Sequence, residues 1–416
     1  MVAHLGESAM AATTAGSLNA VAAFILPMGI VFIVSSFTSQ LSGRGELGPA
    51  RRYGWYGLCV AAIAQLLMLV GLPLLPRVIG LLQYAPEVES QMTAYLTIRL
   101  LSTGFAVGTE SFGNFYGGLG NTSLPMRANI AAMLLNLLFN WLLIDGRWGV
   151  FPALGVRGAA LGSVLASLGG FLILLASFLR DGKGLERSVL RLDEFRRMLR
   201  FGIPSGLNWS FEFYAFIAFV NVVVGGLGTS ALAAMMAVFQ INSVAFMPAF
   251  GLASAGSILV GQAIGAGRKD EVGALVRLTF LCSAGWMGLA GVAYLAMPAL
   301  LLSPFSSAGN DGSFLQIGVG MLMISALWQA FDAAGMTLSE ALRAAGDTSY
   351  TMWARALLAW GFFLPGSLLG VKVYGGRANT AMAFLVAYLA LLSLTLFLRF
   401  RRGAWRSIEL VPEPAA

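Results

Sequence analysis

The sequence predicts an all-α polytopic membrane protein built as two parallel-repeat helical lobes, with five plus six transmembrane helices. Composition, the spacing of long apolar runs and an internal repeat each point to it. Of 416 residues, 58% are hydrophobic and 11% charged, and the mean hydropathy is +0.79. A water-soluble fold needs more polar side chains to cover its surface, and a disordered chain needs more still. Two cysteines and one histidine leave no disulfide scaffold and no metal motif. The net charge is +7, but basic residues sit between apolar runs rather than in one patch, so no nucleic-acid partner is expected. The first ten residues carry no Lys or Arg and no cleavage pattern, so no signal peptide is read there.

Crossing about 30 Å of hydrocarbon takes about 20 mostly apolar helical residues. Eleven stretches qualify, near 14–39, 53–76, 92–116, 124–144, 155–179, 201–224, 232–260, 273–302, 314–341, 350–371 and 379–399. They are too long for barrel strands and show no period-two alternation. Backbone groups in lipid must be satisfied within the segment, so each is read as a helix. Cys59 and Cys282 fall inside two of them and read as small buried thiols. Residues 1–180 form the first lobe, 181–199 a charged linker, 200–402 the second lobe and 403–416 a cytoplasmic tail. In the linker, Leu185, Val189, Leu192, Phe195 and Leu199 recur at helical spacing, which predicts an amphipathic helix lying on the cytoplasmic membrane surface.

Lys and Arg set the orientation. Eighteen fall on one side, among them Arg44, Arg51, Arg52, Arg127, the seven from Arg180 to Arg200, and Arg399 to Arg406. Five fall on the other, Arg77, Arg147, Arg157, Lys372 and Arg377, while Arg99, Arg277 and Arg355 lie within spans. The first side, with the C-terminus, is therefore expected in the cytoplasm.

The repeat has an offset of 222 residues. VAHLGESAMAATTA at 2–15 and VGGLGTSALAAMMA at 224–237 share eight of 14 positions. The same offset pairs Ser35 with Ser257, Gln40 with Gln262, Gly43 with Gly265 and Gly45 with Gly267, while Pro27 and Pro248 are one residue out of register. A second block pairs GNTSLPMRA at 120–128 with GDTSYTMWA at 346–354, matching at five of nine positions. The counterpart of the helix at 201–224 would precede residue 1, so an ancestral first helix is expected to be absent here. Adding it gives six plus six helices in two lobes of like orientation, a parallel repeat.

Charged side chains inside a span cost about 2.5–3.5 kcal/mol each, so their positions carry information. Arg277 and Arg355 lie near cytoplasmic ends and are read as snorkelling. Glu340 and Arg343 are read as a local ion pair, and Asp347 as a cap of the following helix. Small-xxx-small pairs, Gly113/Gly117, Gly158/Gly162 and Gly202/Gly206, allow close helix packing. Glu212 differs, at the midpoint of 201–224 with Ser205 and Asn208 on its face. Asp332 differs too, since Ser325, Gln329, Asp332, Met336, Ser339 and Arg343 fall within about 40° of one line on their helix. Lipid does not tolerate such a stripe, so it faces protein or water. Neither acid has a basic residue within one turn of its own helix. Each is then either a protonated packing residue or a cation site. Glu110, in VGTESFGNFYGG, is a third mid-span acid with the same two readings open.

These residues resemble a family, the multidrug and toxic compound extrusion (MATE) transporters, and within it the NorM-like subgroup. The likeness runs from VAHLGESAMAA to about residue 402. It includes the repeated LG-x-[ST]-A-x-AA at 5–12 and 227–234, Q-x-x-G-x-G ending at Gly45 and Gly267, and ALRAAGDT at 341–348. The resemblance implies two six-helix lobes facing each other in a V, alternating access, and export of lipophilic organic cations against entering Na⁺ or H⁺. It matches Glu212 to the family's seventh-helix acid and Asp332 to its tenth-helix acid, the pair that binds the coupling cation (Na⁺ itself if Na⁺-coupled). Asn208, Trp328, Gln329, Ser325, Met336 and Glu110 are then candidate cavity or support residues. The chain departs from the pattern by lacking the acid usual in the first helix. It also carries Trp328 where some relatives have Tyr, which offers a ring face but no hydroxyl oxygen. The expected partners are lipophilic cationic small molecules and the bilayer of the cytoplasmic (inner) membrane, with the chain acting as a monomer and without a cofactor.

The competing reading is a flippase or exporter of a lipid-linked or amphiphilic substrate. A pyrophosphate headgroup would favour a basic central cavity, for which only Arg99 is a candidate. No HExxH, paired Cys motif or G-x-S-G supports an intramembrane enzyme, so none is expected.

Overall fold

The computed structural model describes residues 2–81, 84–146, 152–181, 189–305 and 313–412, and among them all regular structure is helical. Ten of the described helices are long and apolar enough to cross a membrane, as befits a polytopic all-α protein. The chain divides into two compact units, Met1–Gly206 and Leu207–Ala416.

The first unit contains α1 (Glu7–Gly43), α2 (Leu47–Gly71), α3 (Pro86–Leu100), α4 (Thr103–Gly118), α5 (Ser123–Leu143) and α6 (Gly155–Asp181). It ends inside α7 (Leu192–Ala218). The stretch 92–116 is not one spanning helix. It falls across α3 and α4, of 15 and 16 residues, which meet at a turn over Leu101 and Ser102. The backbone groups freed by the break find partners. Ser102 Oγ donates to the Arg99 carbonyl and Thr103 Oγ1 to that of Leu100, each at 2.8 Å. Gln65 of α2 donates to the Leu100 carbonyl at 3.3 Å and accepts from the Gly104 amide at 2.8 Å. A break at membrane depth is tolerated when a neighbour supplies such bonds.

The linker also differs from expectation. Residues 182–188, with Lys183, Leu185 and Arg187, lie outside the described residues, as does Arg147. Leu192 to Arg200 form the first turns of α7 itself rather than a separate helix on the membrane surface. Glu194 ties them to α2, accepting from Arg52 at 2.6 and 2.7 Å and from Tyr56 at 2.9 Å. Cys59 on α2 is exposed rather than buried, and so is Cys282 in the second unit. Where the solvent is lipid, an apolar thiol is at home on the outer face.

Glycine governs the closest contacts. A Cβ on Gly206 would fall 2.6 Å from the Leu26 carbonyl oxygen, and one on Gly29 would fall 2.7 Å from the Gly206 Cα, so α1 and α7 meet backbone to backbone. Gly158 and Gly162 seat α6 on α5 in the same way, with hypothetical Cβ atoms 2.3 Å from Leu143 O and 2.5 Å from Asn140 Oδ1.

The second unit adds α8 (Thr229–Gly265), α9 (Val272–Ala296), α10 (Ser313–Ala344), α11 (Thr348–Val373) and α12 (Ala378–Arg401). Helix α10 packs against α8, α9 and α12, burying Met321, Leu322, Trp328 and Leu338. Helix α11 loosens into wide i→i+5 turns at Leu357–Phe363 and Leu369–Val373. The C-terminal residues fold back, burying Trp405, Leu410 and Val411. Asp347 stands at the α11 N-cap position without making a capping bond. Arg399 of α12 claims its carboxylate instead, at 2.7 and 3.3 Å, because a charge-assisted pair is stronger than a cap.

The repeat is visible in the backbone. Helices α1 and α8 are each 37 residues long. Each is entered through a glycine of positive φ, +109° at Gly6 and +104° at Gly228, and left through another, +79° at Gly45 and +76° at Gly267. The second block matches likewise, with Gly120 at +83° and Gly346 at +88°. Only glycine enters this region without strain, so the paired glycines impose the same turns on both copies.

Candidate functional site

Five helices of the second unit enclose a small cavity of about 30 Å³, with Phe246 and Phe250 of α8 closing one wall. Helix α7 contributes Asn208 and Glu212, α10 contributes Asp332, Met336, Ser339 and Glu340, α11 contributes Arg355, and α12 contributes Leu389 and Leu392. Both acids singled out in the sequence therefore line one space. It has room for a water molecule or a small ion and none for an organic cation.

The two acids are not equivalent. Glu212 is ion-paired with Arg355, whose side chain is 9% exposed while that of Glu212 is 33% exposed. Arg355 does not snorkel to the membrane surface, and Glu212 does not lack a positive neighbour. Once the two charges are held within the helices, each offsets part of the desolvation cost the other would carry alone. Asp332 has no ion-pair or hydrogen-bond partner among the described residues. Glu340 is satisfied by Arg343 one turn along α10. Glu212 with Arg355 and Glu340 with Arg343 are thus neutral pairs, and Asp332 is the acid lining the cavity that has no basic partner among the described residues.

Unpaired polar atoms occur on the helices that carry this cavity. Asn208 Oδ1 and Arg355 Nε are buried without hydrogen-bond partners, as is the hydroxyl of Tyr388 on α12, which lies within the fields of Arg355 and Asp332. The oxygens of Asn208 and Tyr388 can accept from water or coordinate a small cation, whereas Arg355 Nε is a donor that water alone can satisfy, and native interiors rarely leave such groups idle without a role.

The other predicted support residues divide. Met336 and Asn208 line the cavity, whereas Ser325, Gln329 and Trp328 do not. Gln329 donates to Asn242 Oδ1 of α8 at 2.7 Å, and Asn242 donates to Ser325 Oγ at 3.2 Å, so these side chains clasp α8 to α10. Trp328 is packed in the hydrophobic core of the unit at 8% exposure. The polar stripe of α10 therefore serves two purposes, a clasp at Ser325 and Gln329 and a cavity wall from Asp332 to Ser339. Glu110 belongs to the first unit, where Asn114 donates to its carboxylate at 3.0 Å. Among the described residues no cluster of three or more His, Cys, Asp or Glu side chains could hold a metal ion. Arg355 and Tyr388 were not anticipated as site residues. The available signal was the cost of Arg355 inside a span, which a partner on another helix removes.

Residues 1–142 and 205–367 match the MatE protein family. The probable multidrug resistance protein NorM of Thermotoga maritima is 27% identical over 387 residues, covering 90% of this chain and 82% of that protein. Its counterpart of the same name in Neisseria meningitidis serogroup A is 27% identical over 407 residues, 94% of this chain and 87% of that protein. The crystal structure of a variant of the Vibrio cholerae MATE transporter VcmN superposes with a TM-score of 0.87 at 20% identity, covering 98% of this chain and 91% of that one. At that identity the likeness is one of fold alone.

Proposed function

The chain belongs to the MatE family, and from that premise we propose that it is a secondary active multidrug exporter of the cytoplasmic membrane. It moves lipophilic organic cations outward by alternating access, in exchange for entering Na⁺ or H⁺. The observation that carries this reading is Asp332, a carboxylate without a fixed partner in a cavity sized for an ion. An ionised acid in a low-dielectric site is costly until a mobile cation or proton neutralises it, so its charge state can bias the packing of the helices around it. Because the cavity admits no organic cation, drug and coupling ion occupy different places and communicate through the conformations each favours. Binding of either then weakens the other by the same factor. With two neutral pairs beside it, the site takes one positive charge per cycle.

The test is efflux of a fluorescent lipophilic cation from proteoliposomes under an imposed Na⁺ or H⁺ gradient. Asp332→Asn is expected to abolish the gradient-dependent component while the protein remains folded. Gradient-dependent efflux that persists in Asp332→Asn would end this reading.

A further inference from the structure

A second concavity, of about 700 Å³, opens on the outside of the second unit between α9, α10 and α12. Its volume lies within the range of about 300–1,000 Å³ typical of sites for organic ligands. Its walls are apolar, Phe280, Phe331, Leu391 and Phe400 among them, with three exceptions, of which Ser393 is satisfied by donating to the Ala390 carbonyl at 2.9 Å. Arg277 is exposed and has no carboxylate partner among the described residues. Thr337 is 2% exposed, lines the groove, and its Oγ1 has no hydrogen-bond partner.

The groove has a direction. On α12 its lining runs from Phe400 back to Ala390, ten residues or about 15 Å, half the thickness of the hydrocarbon core. Arg277 lies five residues into α9, at the same end as Phe400, since Arg406 beyond α12 pairs with Asp270 before α9 at 3.2 Å. The deep end carries no charged side chain and reaches Phe331, which also lines the cavity of Asp332. One basic group at the interfacial mouth above an apolar trough one leaflet deep is the complement of one molecule type in a bilayer.

We infer that this groove binds an anionic phospholipid, with the phosphate on Arg277, a backbone ester oxygen accepting from Thr337 and an acyl chain along α12 toward Phe331. A lipophilic cation has the right apolar part and the wrong charge for the mouth. The inference rests on the chain being embedded in a bilayer and is independent of the ion-coupled export proposed above.

The full chain, purified and delipidated in detergent, is titrated with dioleoyl-phosphatidylglycerol or dioleoyl-phosphatidylcholine, and bound lipid is counted by native mass spectrometry. Wild type is expected to retain phosphatidylglycerol about fivefold more tightly, the effect of one basic residue near a membrane surface. Arg277→Gln should equalise the two lipids, Arg277→Lys should keep the preference, and Ala334→Trp, which fills the trough, should lose both. Equal retention by the wild-type protein overturns the inference without recourse to any variant. So does a preference that survives in Arg277→Gln, or displacement of phosphatidylglycerol by tetraphenylphosphonium.

Discussion

Glu212 and Arg355 stabilise each other only while both are present. Removing one partner of a buried pair leaves the other desolvated and uncompensated, typically at 3–5 kcal/mol, whereas replacing both by apolar groups is often neutral or stabilising. Glu212 keeps 33% exposure, which places the loss toward the lower limit. Arg355→Met is therefore expected to destabilise the detergent-solubilised protein by about 3 kcal/mol, and Glu212→Gln by a similar amount. The double variant Glu212→Gln/Arg355→Met should recover most of that loss. Thermal unfolding of the three variants checks this, and additive losses would show that the two side chains do not act as a pair. The acids were legible in the sequence because charge inside an apolar run is rare and the polar stripe of α10 repeats at helical spacing. Their inequality was not. Whether a carboxylate is free depends on side chains brought from other helices, and no periodicity within α7 announces Arg355 on α11.

Helices are read from apolar length, and that signal suffices for most spans here. It fails at 92–116, where composition stays apolar across a break held by Gln65 of another helix. It fails again at 192–199, where charged residues that suggested a surface helix are the anchored start of α7. Glycine explains what apolar length cannot, because its packing role depends on which backbone lies opposite. Gly206→Leu would force a side chain into the Leu26 carbonyl and prise α7 from α1, so a marked loss of thermal stability is expected. Gly251, within α8, has nothing within 4 Å of its would-be Cβ. Gly251→Ala should therefore leave stability unchanged or raise it by about 0.5–1 kcal/mol, through the lower entropy of the unfolded chain. Thermal unfolding of both variants by fluorescence-detected size exclusion separates the cases. Equal behaviour would mean that the close α1–α7 contact contributes nothing.

At the scale of the whole molecule, one physical bias orients every helix at once. Lys and Arg near span ends resist translocation, and by the sequence reading eighteen of them are expected on the cytoplasmic side, with Arg268, Lys269, Arg401 and Arg402, against five opposite. The structure gives part of this charge a second use. Arg399 is tied to Asp347, and Lys269 donates to the Arg406 carbonyl at 2.9 Å, so the basic face is also the face on which the C-terminal turn is fastened. Pairing with a carboxylate in the folded state does not cancel the orienting effect, because orientation is decided as helices insert and acidic residues contribute little to it. A green fluorescent protein fused after Arg406 should therefore fluoresce, and alkaline phosphatase fused at the same point should be inactive. Phosphatase fused after Leu154, just ahead of α6 and Arg157, should be active. Active phosphatase at the C-terminus would reverse every helix, place the mouth of the Arg277 groove in the outer leaflet, and leave the Asp332 cavity facing an opposite ion gradient.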